Sequence, residues 1–450
     1  MYILFLTLVA AIGGLLFGYD TAVINGSNEF LRTHFEIESE GLYGWACSCA
    51  LVGCILGAAI AGVMGDFWGR RKSLMICAFL FAISAVGSAL PQTVTQFVIF
   101  RIIGGIGVGA ASMLSPMYIA EVAPARLRGR LVSLNQLAIV IGILLAFFVN
   151  YFIQSYGNDR LVNGVAWNVA LGWRWMFASE TIAAVAYIMM LTMVPESPRF
   201  LMAQGKDADA RGILSRIGAP EEVASQLDEI TKALGEEQGT LADLVRPGVK
   251  TALLIAVGLA IFQQWTGINA ILYYSTAVFQ QAGATGNAAF ASSVAVGVIN
   301  VLFTFVGIAL VDRVGRKAVL IGGAAAQAIM LTAMAAAFAF EAQGWWVLVA
   351  TLGYVAAFAA SLGPVVWVVI SEIFPTKIRG RAMSIATVVL WIACYLLSQT
   401  FPVLVEKLGQ ALTFGIYAAM SVLCAIFVTL MVPETKGLSL EEIEHQFLSK

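Results

Sequence analysis

The stretch Gly65-Asp66-Phe67-Trp68-Gly69-Arg70-Arg71 is answered, 246 positions later, by Val311-Asp312-Arg313-Val314-Gly315-Arg316-Lys317. Both hold an acid, a glycine and two consecutive bases in the same order. Two further pairs keep nearly the same distance. Glu121 with Arg128-Gly129-Arg130 answers Glu372 with Arg379-Gly380-Arg381 at an offset of 251, and Pro195-Glu196-Ser197 answers Pro433-Glu434-Thr435 at 238. Three motif pairs at one near-constant offset imply a duplicated unit. What the unit is follows from the sequence between the motifs.

That sequence is apolar. Of the 450 residues, 60% are hydrophobic and only 12% charged. A soluble domain carries about twice that charge. Twelve apolar runs fall at 3–25, 43–64, 73–91, 95–119, 131–153, 174–194, 251–281, 287–310, 318–340, 345–370, 382–405 and 409–431. Each is long enough to cross the hydrocarbon as a helix with some tilt. The expected fold is therefore an all-α integral membrane protein of twelve transmembrane helices in two six-helix repeats. Copies in the same orientation are related by an axis along the membrane normal. The expected divisions are an amino-terminal bundle at 1–194, a helical linker at 195–250, a carboxy-terminal bundle at 251–431 and a tail at 432–450. The linker's apolar residues Val223, Leu227, Ile230 and Leu234 recur at helical spacing, which predicts amphipathic helices lying on the membrane face. Thr240 to Asp243 and Ser439 to Glu442 fit capping boxes.

Charge orients the chain. The loops after even-numbered spans carry Arg70, Arg71, Lys72, Arg126, Arg128, Arg130, Arg313, Arg316, Lys317, Lys377, Arg379 and Arg381, against Arg32, Arg160 and Lys407 on the opposite side. The basic side is cytoplasmic, so both termini and the linker are expected there, in a cell (plasma or inner) membrane. The first apolar run starts at Met1 without a basic region and is too long for a signal-peptide core. A formal net charge of -1 with no basic tail gives no sign of a nucleic-acid partner. The six cysteines all fall inside apolar runs without zinc spacing, and there are two histidines, so packing is the expected role of the cysteines and no metal or other cofactor is expected. Nor does the sequence offer a credible catalytic triad or a phosphate-binding loop, which argues against an enzyme. Gly105, Gly107 and Gly109 partly fit a dinucleotide fingerprint, but they sit in a span with no preceding strand. Small residues at that spacing let helices approach closely instead.

Two groups of polar residues lie where lipid contact would forbid them. In I-F-Q-Q-W-T-G-I-N-A-I-L-Y-Y (261–274), the amides Gln263, Gln264 and Asn269 need protein, water or a ligand. Amides both donate and accept, as a neutral polyhydroxyl ligand requires. Trp265, Tyr273 and Tyr274 offer apolar ring faces. On an unbroken helix Gln264 and Asn269 would point about 140° apart, and Gly267 between them allows a bend. Interhelical hydrogen bonding without a ligand is the plainer alternative. The second group is Asp20, Arg101 and Glu180, each costing at least about 2.5–3.5 kcal/mol at a helix centre unless paired. The direction of their spans puts all three in the outer third of the first bundle, where Arg101 can pair with either acid. The charge state of a carboxylate depends on whether an arginine stands beside it. A swing that moves Asp20 relative to Arg101 therefore takes up or releases a proton. A static bridge bracing three helices is the alternative.

The chain resembles the sugar porter family of the major facilitator superfamily. It is similar to bacterial D-xylose–proton symporters and, more distantly, to animal glucose facilitators. The resemblance rests on G-G-L-L-F-G-Y-D-T-A-V-I (13–24), the 62–72 loop, R-I-I-G-G-I-G-V-G (101–109), S-P-M-Y-I-A-E-V-A-P (115–124), P-E-S-P-R (195–199), Q-Q-W-T-G-I-N (263–269), S-E-I-F-P-T-K-I-R-G (371–380) and P-E-T-K-G (433–437), and it covers nearly the whole chain. It implies a proton-coupled monosaccharide symporter working by alternating access, with a sugar, a proton and the lipid bilayer as partners and a monomer as the functional unit. It assigns sugar contact to Gln136, Gln263, Gln264, Asn269, Asn300, Trp367 and Trp391, with Phe17 and Tyr273 as further lining and Gly363-Pro364 able to flex span ten. It implies gating by charges on the inner face. In the first half these are Asp66, Arg70, Arg71, Glu121, Arg128, Glu196 and Arg199. In the second they are Asp312, Arg316, Glu372, Arg379 and Glu434. Such pairs would join the halves when the carrier faces outward and part when it faces inward.

Two departures widen the expected substrate. Close xylose symporters carry glutamine where this chain has Ile143, and an amide where it has Leu390, whereas Leu272 follows their pattern. D-Xylose and D-glucose both remain expected. A passive facilitator of the same fold is the alternative, although facilitators of the family lack an acid at the position of Asp20. A membrane sugar sensor is a remote one, because the tail after Pro433 is short.

Overall fold

The computed structural model describes residues 2–124, 126–235, 243–244, 249–342, 344–374 and 376–436, without the side chains of Ala233, Asp312, Thr376 and Lys377. The capping signatures at 240–243 and 439–442 lie outside these residues, save Asp243. The described residues contain 11 helical stretches long and apolar enough to cross a membrane. The longest, α17 (Thr376–Met431), is broken at Gly409, where φ is 77° and ψ 167°. It therefore supplies two spans, and the total is twelve.

Spans one to five are α1 (Tyr2–His34), α2 (Glu40–Trp68), α3 (Arg70–Ala89), α4 (Val94–Val122) and α5 (Arg128–Gly157). A hairpin of two-residue strands, β1 (Leu161–Val162) and β2 (Val165–Ala166), precedes the sixth and is the one departure from an all-helical chain among the described residues. Span six starts with a π turn at Asn168–Gly172 and continues as α6 (Trp173–Ala178) and α7 (Glu180–Thr192). Two ends differ from the apolar runs. α1 continues nine residues past 25 because Asn25, Ser27 and Asn28 are buried against protein rather than water. Span six begins six residues early because the Asn168 amide donates to Gln154 O at 3.0 Å and docks that turn on α5.

The linker forms α8 (Pro198–Ala203), α9 (Asp207–Leu214) and α10 (Pro220–Gly235). Val223 and Leu227 pack with Ala210 and Leu214, and Ile230 lies against them. Leu234, expected on the same face, is exposed. It is in the last turn, beyond the reach of α9.

The second half holds α11 (Val249–Trp265), α12 (Ile268–Gln281), α13 (Gly286–Val314), α14 (Arg316–Ala339), α15 (Trp345–Ala359), α16 (Leu362–Glu372) and α17. Span seven breaks at Gly267, whose φ of 103° is left-handed backbone that a side chain strains. Span ten breaks at Ala360–Ser361, just before Gly363-Pro364.

Helices α2 and α4 meet with almost nothing between them. A Cβ on Gly105 would lie 1.9 Å from Ala50 O, and one on Gly109 2.1 Å from Cys54 O. Gly53 and Gly57 return the contact from α2, against Ile102 O and Ile106 O at 2.1 and 2.2 Å. The small-residue pattern is thus a packing seam and not a phosphate cradle. All six cysteines are free and buried.

Candidate functional site

Asp20, Arg101 and Glu180 converge, each no more than 2% exposed. Arg101 Nη1 donates to Asp20 Oδ1 in a very short contact, and Arg101 Nη2 donates to Asp20 O at 3.3 Å. The guanidinium also sits 5.3 Å from the Phe177 ring centroid, within cation–π range. Arg101 thus chooses Asp20 as its partner. Neither carboxylate oxygen of Glu180 has a hydrogen-bond partner, although Asp20 and Arg101 are the charges acting on it. Contact puts the three side chains at one level of the first bundle, although along its own helix Asp20 lies near the middle of Tyr2–His34, Glu180 near the middle of Asn168–Thr192 and Arg101 closer to the start of Val94–Val122.

The break at Gly267 resolves the geometry of the amides. It turns α12 so that Asn269 Nδ2 donates to Gln264 Oε1, in a very short contact, and lies 3.1 Å from Cys394 Sγ. Gln264 Nε2 and Asn269 Oδ1 stay uncommitted to protein among the described contacts. Gln263 behaves differently. Its Nε2 donates to Leu362 O and Gly363 O at 2.9 and 3.1 Å, tying α11 to the first turn of α16. Replacing Gln263 by Leu leaves that tether unmade. It is expected to lower stability by about 1–3 kcal/mol, read as a lower melting temperature of the sugar-free protein.

Phe17 meets Trp391 across the halves with ring centroids 5.3 Å apart. The buried Trp391 Nε1 has no acceptor, a donor that a ligand hydroxyl can satisfy. Asn300 is buried, whereas Gln136 and Trp367 are half-buried; no described contact links these three to the Gln264–Asn269 pair. Tyr273 is 2% exposed. Trp265 is 37% exposed, whereas Gln263, Gln264, Asn269, Tyr273 and Tyr274 are buried.

The arginine-rich end carries two matching clusters. Arg70 Nε and Nη2 contact Glu121 Oε1 at 3.1 and 3.0 Å, and Arg70 Nη1 donates to Gly65 O and pairs with Asp66. Arg316 Nε and Nη2 donate to Glu372 at 3.2 and 3.0 Å, and Nη1 to Val311 O. Ser197 Oγ donates to Glu121 as Thr435 Oγ1 donates to Glu372. Glu196 accepts from the backbone of Arg71 and Ser197, and Glu434 from that of Arg316, Lys317 and Thr435. Burial alone would raise the Glu434 carboxyl, yet backbone N–H groups of Lys436, Arg316, Lys317 and Thr435 hold it below the ordinary carboxylate value. Arg128 pairs instead with Glu229 of the linker at 3.4 Å, and Arg379 donates to Phe374 O. Arg199 has no ion pair among the described residues, and the Asp312 side chain lies outside them. Arg70–Glu121 and Arg316–Glu372 each keep within one half, Arg128–Glu229 joins the first half to the linker, and Lys232–Asp228 lies within the linker.

The halves touch through hydrogen bonds at the arginine-poor end, and the sequence reading missed these groups. Asn25 Nδ2 donates to Ser275 Oγ at 3.1 Å while its Oδ1 accepts from Thr276 N at 3.1 Å. Asn28 Nδ2 donates to Tyr273 O at 2.9 Å. Ser48 and Gln399 join α2 to α17. The signal for two of them was visible: Asn25 at the end of the first apolar run and Asn28 just after it are as costly in a buried helix as Gln264 is.

A family model described as "Sugar (and other) transporter" matches residues 6–447. The D-xylose-proton symporter of Escherichia coli (strain K12) is 47% identical, over 98% of this chain and 95% of the relative. The arabinose-proton symporter of Bacillus subtilis (strain 168) is 43% identical, over 98% and 94%. A solved partially occluded inward open conformation of the E. coli xylose transporter XylE superimposes with a TM-score of 0.87 at 44% identity, covering 97% of this chain and 99% of that one.

Proposed function

The chain belongs to the sugar transporter family and is a multi-pass membrane protein of the major facilitator fold, and from that premise we propose that it imports a monosaccharide, D-xylose or D-glucose, together with a proton by alternating access. The observation that carries the reading is the buried Asp20–Arg101 pair with the unpartnered Glu180 beside it. A charge pair of this kind in a membrane interior is costly unless it works.

The bundles at 1–194 and 251–431 rock about a sugar held between them, the linker at 195–250 and the tail at 432–450 lie on the cytoplasmic side with both termini, and one chain suffices. Gln264, Asn269, Asn300 and Gln136 take the sugar hydroxyls, Trp391, Trp367 and Phe17 its apolar face, with Tyr273 lining the site. Gln263 holds the broken span ten in place behind them. We read the arrangement as inward-facing, because hydrogen bonds at the arginine-poor end join the halves while the Arg70–Glu121 and Arg316–Glu372 pairs are each made within one half. In the outward-facing form these clusters meet across the halves and close the inner mouth. Each arginine holds a carboxylate and a backbone carbonyl together, so the clusters act as networks. When the sugar has left, a shift of α1 against α4 within the first bundle accompanies the rocking and parts Asp20 from Arg101, and the freed carboxylate exchanges a proton with the open side.

Uptake of radiolabelled D-xylose and D-glucose into proteoliposomes, with and without an inward proton gradient, tests this. Accumulation above equilibrium that requires the gradient is the expected result. Equilibration indifferent to the gradient would make the chain a facilitator.

A further inference from the structure

We infer that Gln399 is a gating residue: its side chain clasps α2 across the interface between the halves and sets how often the outer mouth opens. The inference rests on the alternating-access reading above.

The geometry is specific. Gln399 Oε1 accepts from Ser48 Oγ at 2.9 Å, and its Nε2 donates to Gly41 O at 2.9 Å. Gly41 and Ser48 are seven residues apart, two turns on the same face of a helix. One amide thus uses both of its ends to hold two levels of α2, and both bonds must break together when the helices part. The backbones approach as closely as the side chains. A Cβ on Gly44, between those two residues, would lie 2.5 Å from Gln399 O. Glycine at 44 therefore lets α2 lie flush against α17 where the amide grips. Nearby, Trp45 packs edge-on against Tyr395 with centroids 6.3 Å apart, so the clasp closes over an aromatic contact.

The clasp differs from the other polar contacts between the halves. Asn25 and Asn28 reach α12, the half-helix that carries the amide site and that sugar binding itself would move. Gln399 instead joins α2 and α17, and neither Gly41 nor Ser48 is placed in the sugar or proton site. Its bonds favour the closed mouth whether or not sugar is bound. Two neutral hydrogen bonds of ordinary net worth shift a two-state equilibrium by at least about fivefold.

Cys47 reports the motion. It is buried, one residue from Ser48, and faces Tyr274 of the other half. Cys424, buried in α17 toward the arginine-rich end, reports general loosening. The experiment treats full-length protein in sealed vesicles with a membrane-impermeant maleimide from the outer face and locates the label by peptide mass spectrometry. Gln399→Leu removes the bonds and Gly44→Ala wedges the backbones apart. Both are expected to raise the rate of Cys47 labelling at least about fivefold over wild type while Cys424 stays unlabelled. Wild-type labelling of Cys47 in both variants overturns the inference, and so does labelling of Cys424 that rises in step with Cys47. Sugar counterflow in the same vesicles is read separately. Loss of counterflow in the wild type would count against transport, whereas unchanged labelling would count against the clasp alone.

Discussion

Asp20→Asn is expected to abolish uphill sugar accumulation while sparing sugar-for-sugar exchange. Asparagine keeps the shape of Asp20 and an Oδ1 acceptor for Arg101 Nη1, so the helix contact survives. It cannot bind and release a proton. With one proton per sugar, an inward gradient of about two pH units supports at most about hundredfold accumulation, since each tenfold is about 1.4 kcal/mol. The variant should stop at equal concentrations inside and out. Exchange, which needs no net proton movement, should stay within about threefold of wild type. Arg101 would then have only Glu180 as a nearby acid. The double variant Asp20→Asn, Glu180→Gln should therefore be far worse than either single one. It leaves a buried guanidinium with no counter-charge, at a cost of about 3–5 kcal/mol, and should fail to accumulate as folded protein. Uphill uptake that persists in Asp20→Asn would remove the acid from the coupling mechanism.

The second large effect concerns sugar affinity. Gln264→Ala removes an amide whose oxygen accepts from Asn269 and whose nitrogen has no described protein partner. The variant loses a ligand hydrogen bond and also frees Asn269 from the orientation Gln264 gives it. An unmade bond at a buried polar site costs about 1–3 kcal/mol. The half-saturating sugar concentration should rise about tenfold to hundredfold, measured by counterflow or by calorimetric binding. The melting temperature without sugar should fall less than in Gln263→Leu, because Asn269 Nδ2 keeps Cys394 Sγ as a partner while Gln263→Leu loses two bonds. A Gln264→Ala protein that binds sugar as wild type but melts early would reduce Gln264 to a packing residue.

Much of this architecture could be read from the chain, because a membrane span must satisfy its own backbone and present apolar side chains. The twelve runs follow from that constraint, the linker helices from Val223, Leu227 and Ile230 at helical spacing, and the bend at Gly267 from a glycine set between two amides. Hydropathy erred where polar residues are buried by protein instead of lipid: Asn25, Ser27 and Asn28 look like the end of a span, yet α1 runs on to His34. The acid cluster was legible as three costly residues, but not which acid Arg101 would take. Direction along a helix says how deep a side chain lies and leaves its partner open. The clasp of Gln399 was illegible for a further reason. Gln399 and Ser48 are 351 positions apart, and nothing local in either marks the other.

The matched clusters at Arg70 and Arg316 have a consequence for biogenesis. Arg70 finds Glu121, Gly65 and Asp66, and Glu121 finds Ser197, all within the first 197 residues. Nothing in that brace waits for the second copy. Chains emerge from the ribosome amino-terminus first, and domains generally fold as units during synthesis. The first six helices can thus be riveted at their base while the remaining six are still being translated, and the second set then builds the matching cluster of Arg316 with Glu372.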